Sequence, residues 1–151
     1  MRTIQGEISS IGTVSFSGIT DDTSKGNSSQ FSTTNQVSNV VADPAQCRVS
    51  YHWRVWRNGA AQPAIDKNAW FMLHDVSSVA VEPLTQYLNQ SNAANGHANL
   101  VATSTSPPMT TVVVHTSSWV NEFPFTNTSS ASRAAQTIKQ AARLCGSSVA
   151  N

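Results

Sequence analysis

The sequence predicts an α+β fold in which antiparallel strands are followed by one amphipathic C-terminal helix. Between residues 37 and 125, apolar and polar side chains alternate in several short segments, a pattern typical of half-buried strands. Only residues 128–145 repeat their apolar side chains at the spacing of a helix. A helix in this position covers either an open antiparallel sheet or the opening of a small barrel, and the pattern fits both.

The clearest predicted strand runs from residue 47 to residue 56, where β-branched and aromatic side chains alternate with polar ones. Asn58-Gly59 follows and predicts a tight turn. Strand-like sequence continues at 69–81, with a bend or bulge expected at 75–78, and again at 100–105, 110–115 and 121–125. Residues 84–89 are expected to form one turn of helix.

The segment 128–145 is predicted to be a helix. Thr128 or a neighbour is expected to cap its N-terminus, and Gly146 stands where a glycine often ends a helix. Its apolar positions recur at intervals of four and three residues and form one stripe, comprising Ala131, Ala135, Ile138, Ala142 and Cys145. Cys145 therefore lies on the face that packs against the strands.

The two cysteines, Cys47 and Cys145, belong to no Cys-x-x-Cys pair or cysteine–histidine cluster. This excludes zinc ribbons, thioredoxin-like motifs and iron–sulfur sites. A disulfide and two free buried thiols remain as alternatives, and the low charge together with the helix geometry favours the disulfide. The bond would close a loop of about 100 residues and stabilise the fold by roughly 4–5 kcal/mol on the chain-entropy model.

The 151 residues are enough for one ordinary domain. We expect residues 1–36 to form a polar N-terminal segment with one or two short strands and a polar loop at 21–30. Residues 37–125 are expected to hold the antiparallel strands, and residues 128–145 the helix. No apolar run is long enough to predict a transmembrane segment.

Charge and composition limit the classes of partner. Nine Lys and Arg against eight Asp and Glu give a formal net charge of +1, so no strong field attracts nucleic acid or an anionic membrane. Only 11% of the residues are charged, whereas 58 residues are Ser, Thr, Asn or Gln. This composition suits an oxidising exterior, or tight packing between copies of the chain.

Neither a metal site nor a cofactor site is predicted. The chain has no His-x-His pair, no HExxH motif and no glycine-rich phosphate loop. The histidines are expected to face solvent or to form ordinary hydrogen bonds, and they are His52, His74, His97 and His115.

Catalytic residues are not predicted either, so the chain is not expected to be an enzyme. There is no Gly-x-Ser-x-Gly motif and no cysteine in a reactive context. On a strand, the adjacent His74 and Asp75 would point to opposite faces. The other carboxylates are too scattered to nominate an acid–base pair, and they include Asp66, Asp75, Glu82 and Glu122.

The strongest candidate for an interaction surface lies around the first predicted hairpin. Arg54, Arg57 and Lys67 form a thin basic patch there, which Asp66 partly neutralises, and a solvated hairpin is the simpler interpretation. Trp56 lies between the two arginines, where it is either an exposed aromatic contact for sugar or protein or a part of the core.

The C-terminal part of the sequence resembles a known group of domains. The run F-P-F-T-N-T-S-S-A-S-R-A-A-Q-T-I-K-Q-A-A-R-L-C-G at 123–146 is similar to the end of pleckstrin-homology-like domains in uncharacterised secreted bacterial proteins. W-F-M-L-H-D-V-S-S-V at 70–79 and N-A-A-N-G-H at 92–97 also resemble that group. The resemblance covers residues 31–146 and implies a pleckstrin-homology-like fold. That group has no established activity to carry over. The fold also places the basic residues of lipid-binding members on the first hairpin, where Arg54, Arg57 and Lys67 stand.

Two classes of function remain. The first is a non-catalytic interaction or assembly module of a bacterial protein, secreted or periplasmic, whose export signal has been removed so that Met1 is not native. The second is a self-assembling structural subunit of a viral shell or extracellular filament, for which Met1 is the native start. Both classes imply a protein partner or self-association, including a homo-oligomer.

Overall fold

The computed structural model describes residues 1–150, which form eight strands and three α-helices. In chain order the elements are α1 (Arg2–Ser9), β1 (Thr13–Asp22), β2 (Asn27–Asp43), β3 (Arg48–Arg57), β4 (Ile65–Met72), β5 (Val76–Pro83), α2 (Leu84–Ala94), β6 (Leu100–Ser106), β7 (Thr110–Thr116), β8 (Val120–Phe125) and α3 (Thr128–Leu144). A short 3-10 helix, Leu73–Asp75, links β4 to β5.

Five antiparallel strands form the larger sheet, in the order β4-β3-β2-β1-β6. β2 is 17 residues long and pairs with both β1 and β3. Its pairing with β3 shifts register between Ser38 and Val41, and Asn39 within this bulge has a left-handed φ of 52°. A bulge bends the strand that carries it, so the sheet curves at this point.

The smaller sheet has three antiparallel strands in the order β5-β7-β8. Side-chain packing holds it against the larger sheet, because the two sheets share no strand. The ring of Phe123 in β8 lies 5.2 Å from that of Tyr51 and 6.2 Å from that of Phe71 between centroids. All three side chains are buried, so these contacts fix the distance between the sheets.

The predicted α+β class, with antiparallel strands and a C-terminal helix, is confirmed. The two sheets are not closed, so a small barrel and the pleckstrin-homology-like type stay predictions. Among residues 1–150, no helix combines the length and the apolar character needed to cross a bilayer.

α3 packs against the smaller sheet and α1 through a stripe of mostly small side chains. The buried residues of this stripe are Ala131, Ala134, Ala135, Ile138, Ala141 and Ala142. Small side chains allow a helix to lie close to its neighbours without voids. The predicted apolar face of this helix is therefore confirmed.

Both ends of α3 are capped locally. Asn127, a neighbour of the predicted Thr128, accepts hydrogen bonds at 2.8 and 3.2 Å from the backbone N–H groups of two following residues. Gly146 adopts a φ of 89°. Its N–H and that of Ser147 donate to carbonyls of the last turn, which is the Schellman arrangement that commonly ends helices.

The predicted disulfide between Cys47 and Cys145 is confirmed. Cys47 lies in the turn between β2 and β3, and Cys145 is the C-cap residue of α3. Their Cα atoms are 6.0 Å apart. The bond therefore ties the end of the last helix to the larger sheet.

The N-terminal segment is more regular than the sequence indicates. Residues 2–9 form α1, and its Ile4 and Ile8, one turn apart, are both buried. The polar stretch at 21–30 belongs to a β1–β2 hairpin, whose turn contains Gly26 at a φ of 69°. The polar loop expected there is therefore limited to the short turn.

One further helix differs from expectation in its extent, because α2 has 11 residues rather than a single turn. The bend or bulge predicted at 75–78 is present as a register shift between Val76 and Ser78 in the pairing of β5 with β7. The 3-10 helix Leu73–Asp75 forms a turn directly before it. His74 and Asp75 therefore lie in this turn and not on a strand.

Replacing both cysteines, in the variant Cys47→Ser/Cys145→Ser, is expected to lower the free energy of unfolding by about 4–5 kcal/mol. The reason is the added conformational freedom of an unfolded chain that has lost a bridge across 98 positions. Urea denaturation of the variant and of the oxidised parent measures the loss, and chemical reduction of the parent is the matched control. A loss below about 1 kcal/mol contradicts this role of the bond.

Candidate functional site

A cavity of about 240 Å³ lies between the inner face of the larger sheet and the wall formed by α2 and β8. We term it the α2 cavity. Its volume equals that of about eight water molecules at ~30 Å³ each, which accommodates one aromatic ring with a small substituent. Apolar side chains predominate in its lining and include Phe16, Phe31, Val55, Ile65, Leu84 and Leu88.

Gly18 shapes one wall of the α2 cavity. It pairs with Phe31 across β1 and β2, and a Cβ atom on Gly18 would collide with the Phe31 ring and with the carbonyl of Ser104. The Phe31 ring thus occupies the space of a side chain and meets Phe16 edge-on at 6.4 Å. Glycine is required here because the aromatic wall lies directly against the backbone.

Asn35 of β2 brings a side-chain amide to the cavity lining, and only 4% of this residue is exposed. Its Oδ1 accepts a hydrogen bond from Trp53 Nε1 at 2.8 Å. Because an indole nitrogen can only donate, this contact fixes the orientation of the amide. Among residues 1–150, Asn35 Nδ2 finds no hydrogen-bond partner, which costs about 1–3 kcal/mol for a buried donor.

Glu122 of β8 lies on the opposite wall of the cavity. Desolvation by the surrounding protein raises the pKa of Glu122 to about 7, while hydrogen bonding by Tyr87 and the positive charge of Arg57 partly offset this rise. Burial, followed by the charge of Glu122, raises the pKa of Tyr87 to about 12. Near neutral pH the Glu122 carboxyl is therefore present in both forms, one that donates and one that only accepts hydrogen bonds.

The four residues of the predicted interaction surface are divided between the two faces of the larger sheet. Arg57 lines the α2 cavity. Lys67 Nζ lies on the same face of the sheet, 5.4 Å from the centroid of the Trp53 ring. Arg54 and Trp56 alternate with Arg57 along β3 and therefore face the other side. There, Arg54 Nε lies 3.4 Å from Asp66 Oδ1.

His52 lies on the same face as Arg54, where it also contacts Asp66. Its Nε2 lies 2.5 Å from Asp66 Oδ1 and its Nδ1 lies 2.8 Å from Asn68 Oδ1. The other three histidines are exposed. Within residues 1–150, no three His, Cys, Asp or Glu side chains are grouped so that they could hold a metal ion.

Asn35 and Glu122 provide the main polar groups of the cavity, and sequence reasoning nominated neither. Glu122 alternates with Phe123 along β8, so the pattern alone assigns it to the solvent side of the strand. α2 covers that side only in the folded chain. Asn35 lies in a stretch rich in Ser, Thr and Asn, where nothing local distinguishes it.

No protein-family model, no curated protein and no solved structure matches this chain. The function is therefore argued from the chemistry of the site. The disulfide is compatible with an extracellular location, because such bonds persist in oxidising compartments.

Glu122 is expected to make stability depend on pH. Its pKa is about 7 in the folded chain against a reference value of 4.5, so the folded state binds the proton more tightly. This contribution to stability is complete at a pH below the pKa of Glu122 in the unfolded chain. It is lost as the pH rises through the pKa of Glu122 in the folded chain. Relative to Glu122→Gln, the native chain should lose about 1–3 kcal/mol between about pH 4 and pH 8.

Urea denaturation of both proteins across this pH range measures the difference, and the carboxyl carbon signal of Glu122 in an NMR titration provides the control. A Glu122 midpoint below about pH 5 contradicts the prediction.

Proposed function

We propose that the protein is a non-catalytic binding module whose α2 cavity takes a small molecule made of one apolar ring and a hydrogen-bond acceptor. The observation that carries the proposal is a mainly apolar cavity whose lining includes Asn35, a residue whose buried Nδ2 has no hydrogen-bond partner among residues 1–150. The apolar walls would provide affinity by burying the ring. A polar group held at a fixed orientation would select the position of the acceptor.

The lining favours binding over catalysis. Among residues 1–150, Glu122 is the only carboxylate in the cavity lining, which contains no histidine or cysteine. Nucleophilic catalysis needs an activated nucleophile beside a base. The hydroxyl beside Glu122 is that of Tyr87, whose pKa is raised to about 12 by burial and then by the charge of Glu122, so it stays protonated near neutral pH. The titratable Glu122 instead offers a second polar contact that adapts to a ligand's donor or acceptor.

We place this module outside the cytoplasm, in a secreted or periplasmic protein of bacterial origin. The disulfide supports the location outside the cytoplasm, because intracellular thiols of mesophiles are generally kept reduced.

Benzamide is a suitable probe, since it joins one ring to a carbonyl acceptor, and ethylbenzene is the matched compound without an acceptor. We expect benzamide to bind and to shift the NMR signals of the Asn35 amide and the Trp53 indole. Asn35→Asp keeps the oxygen that accepts from Trp53 and removes the free donor. It should weaken benzamide binding about tenfold, the equivalent of about 1.4 kcal/mol, and leave ethylbenzene binding less affected.

Two further variants keep this test decisive. Asn39→Asp makes the same change at an exposed site of the same strand and should leave binding intact. Leu88→Trp should fill the cavity from α2 and abolish binding of both compounds. Absence of benzamide binding to the native chain, or equal affinities of the native and Asn35→Asp proteins, would show that the proposal is wrong.

A self-assembling subunit stays the second candidate predicted from the sequence. Light scattering of the native protein distinguishes the two. A particle of many subunits supports self-assembly, whereas a species near the monomer mass of 16.1 kDa supports an independent binding module.

A further inference from the structure

A second cavity, of about 250 Å³, lies at the edge of the larger sheet, where β4 meets the turn between β7 and β8. We term it the tryptophan groove. Trp70 of β4 and Trp119 of the turn line it and are 42% and 44% exposed. Their rings meet edge to face, with centroids 4.9 Å apart and planes at 82°. Trp53 lines both this groove and the α2 cavity.

The exposed Trp119 is held firmly in place. Its Nε1 donates to the backbone carbonyl of Trp70 at 3.1 Å. Its backbone N–H donates to Thr116 Oγ1 at 3.2 Å, and its carbonyl accepts from the same hydroxyl at 3.0 Å. The turn is tied down further by Ser117 Oγ, which donates to Asp75 Oδ2 at 2.6 Å. A side chain ordered in advance loses little conformational entropy when a ligand binds.

Polar groups with spare hydrogen-bonding capacity line the same groove. Asn121 is 5% exposed, and its Oδ1 accepts from Tyr51 Oη at 2.8 Å. Within the part of the chain that the structure describes, Asn121 Nδ2 has no partner. Lys67 adds an ammonium group 5.4 Å above the Trp53 ring, and Asn68 adds a further amide.

We infer that the tryptophan groove is a binding site for a saccharide. A pyranose ring carries C–H groups on its faces and hydroxyls around its rim. The faces pack on exposed indole rings, which combine apolar area with a polar edge. The hydroxyl oxygens accept hydrogen bonds from the Lys67 ammonium and the Asn68 amide, which line the groove. The volume equals that of about eight water molecules at ~30 Å³ each, enough for one hexose ring.

The dimensions of the groove favour a saccharide over a docked protein. A stable protein interface buries about 800 Å² on each partner, far more than the eight residues of this groove present. Among residues 1–150, Lys67 is the only charged side chain that lines it, which suits a neutral sugar whose hydroxyls need donors.

Isothermal titration with cellotriose and chitotriose tests the inference, and tryptophan fluorescence reports on the same binding. We expect at least one trisaccharide to bind with a change in fluorescence. Trp70→Ala and Trp119→Ala should each lower its affinity tenfold or more, and Lys67→Met should lower it less. Circular dichroism shows whether each variant is folded. If removal of a tryptophan impairs folding, Lys67→Met still tests the groove.

Trp56→Ala is the matched control, because it removes a tryptophan of the same sheet that lies outside the tryptophan groove. Trp56→Ala should leave saccharide affinity unchanged. Asn35→Asp should also leave it unchanged, and because Asn35 lines the α2 cavity, this second variant distinguishes the two sites. The inference is overturned if neither sugar binds the native chain, if both tryptophan variants keep full affinity, or if Trp70 and Trp119 are needed only for a protein partner.

Discussion

The packing of Phe123 against Tyr51 and Phe71 determines where the two sheets stand relative to each other. Among residues 1–150 no strand is shared between the sheets, so packed side chains and the short link Leu73–Asp75 set the gap between them. Loss of a buried phenylalanine side chain commonly costs about 3–5 kcal/mol, a large part of the stability of a domain this size. Both candidate binding sites combine residues from the two sheets, so each keeps its shape only while this packing holds.

The same hydrogen-bonding arrangement occurs at two neighbouring positions of strand β3. Tyr51 and Trp53 are neighbours on its inner face, and each donates a hydrogen bond to an asparagine oxygen, on Asn121 and Asn35 respectively. In both cases the amide nitrogen is left without a partner among residues 1–150, and each asparagine lines a different cavity. Two buried amide nitrogens without partners among residues 1–150 lower the stability of the domain, and a ligand that paired with either would recover part of that loss.

The sequence predicts those elements whose side-chain pattern repeats over adjacent residues. The alternation in β3, the alanine stripe of α3 and its capping residues can all be read from adjacent positions. The disulfide follows because Cys47 directly precedes β3 and Cys145 directly follows α3. α1 and α2 are short and rich in polar residues, so their helical signals are weak. The sites were not predictable, because Glu122 becomes enclosed only after α2 folds over β8, and Trp119 meets Trp70 across 49 positions.

The disulfide also divides the molecule into a covalent ring and an open arm. The ring runs from Cys47 to Cys145 and contains every strand except β1 and β2, together with α2 and α3. The tryptophan groove lies wholly within this ring, so one peptide-bond break there leaves its residues on a single covalent molecule. Phe16, Phe31 and Asn35 reach the α2 cavity from the arm. A protease that cuts at the β1–β2 turn would therefore leave β1 joined to that cavity by non-covalent contacts alone.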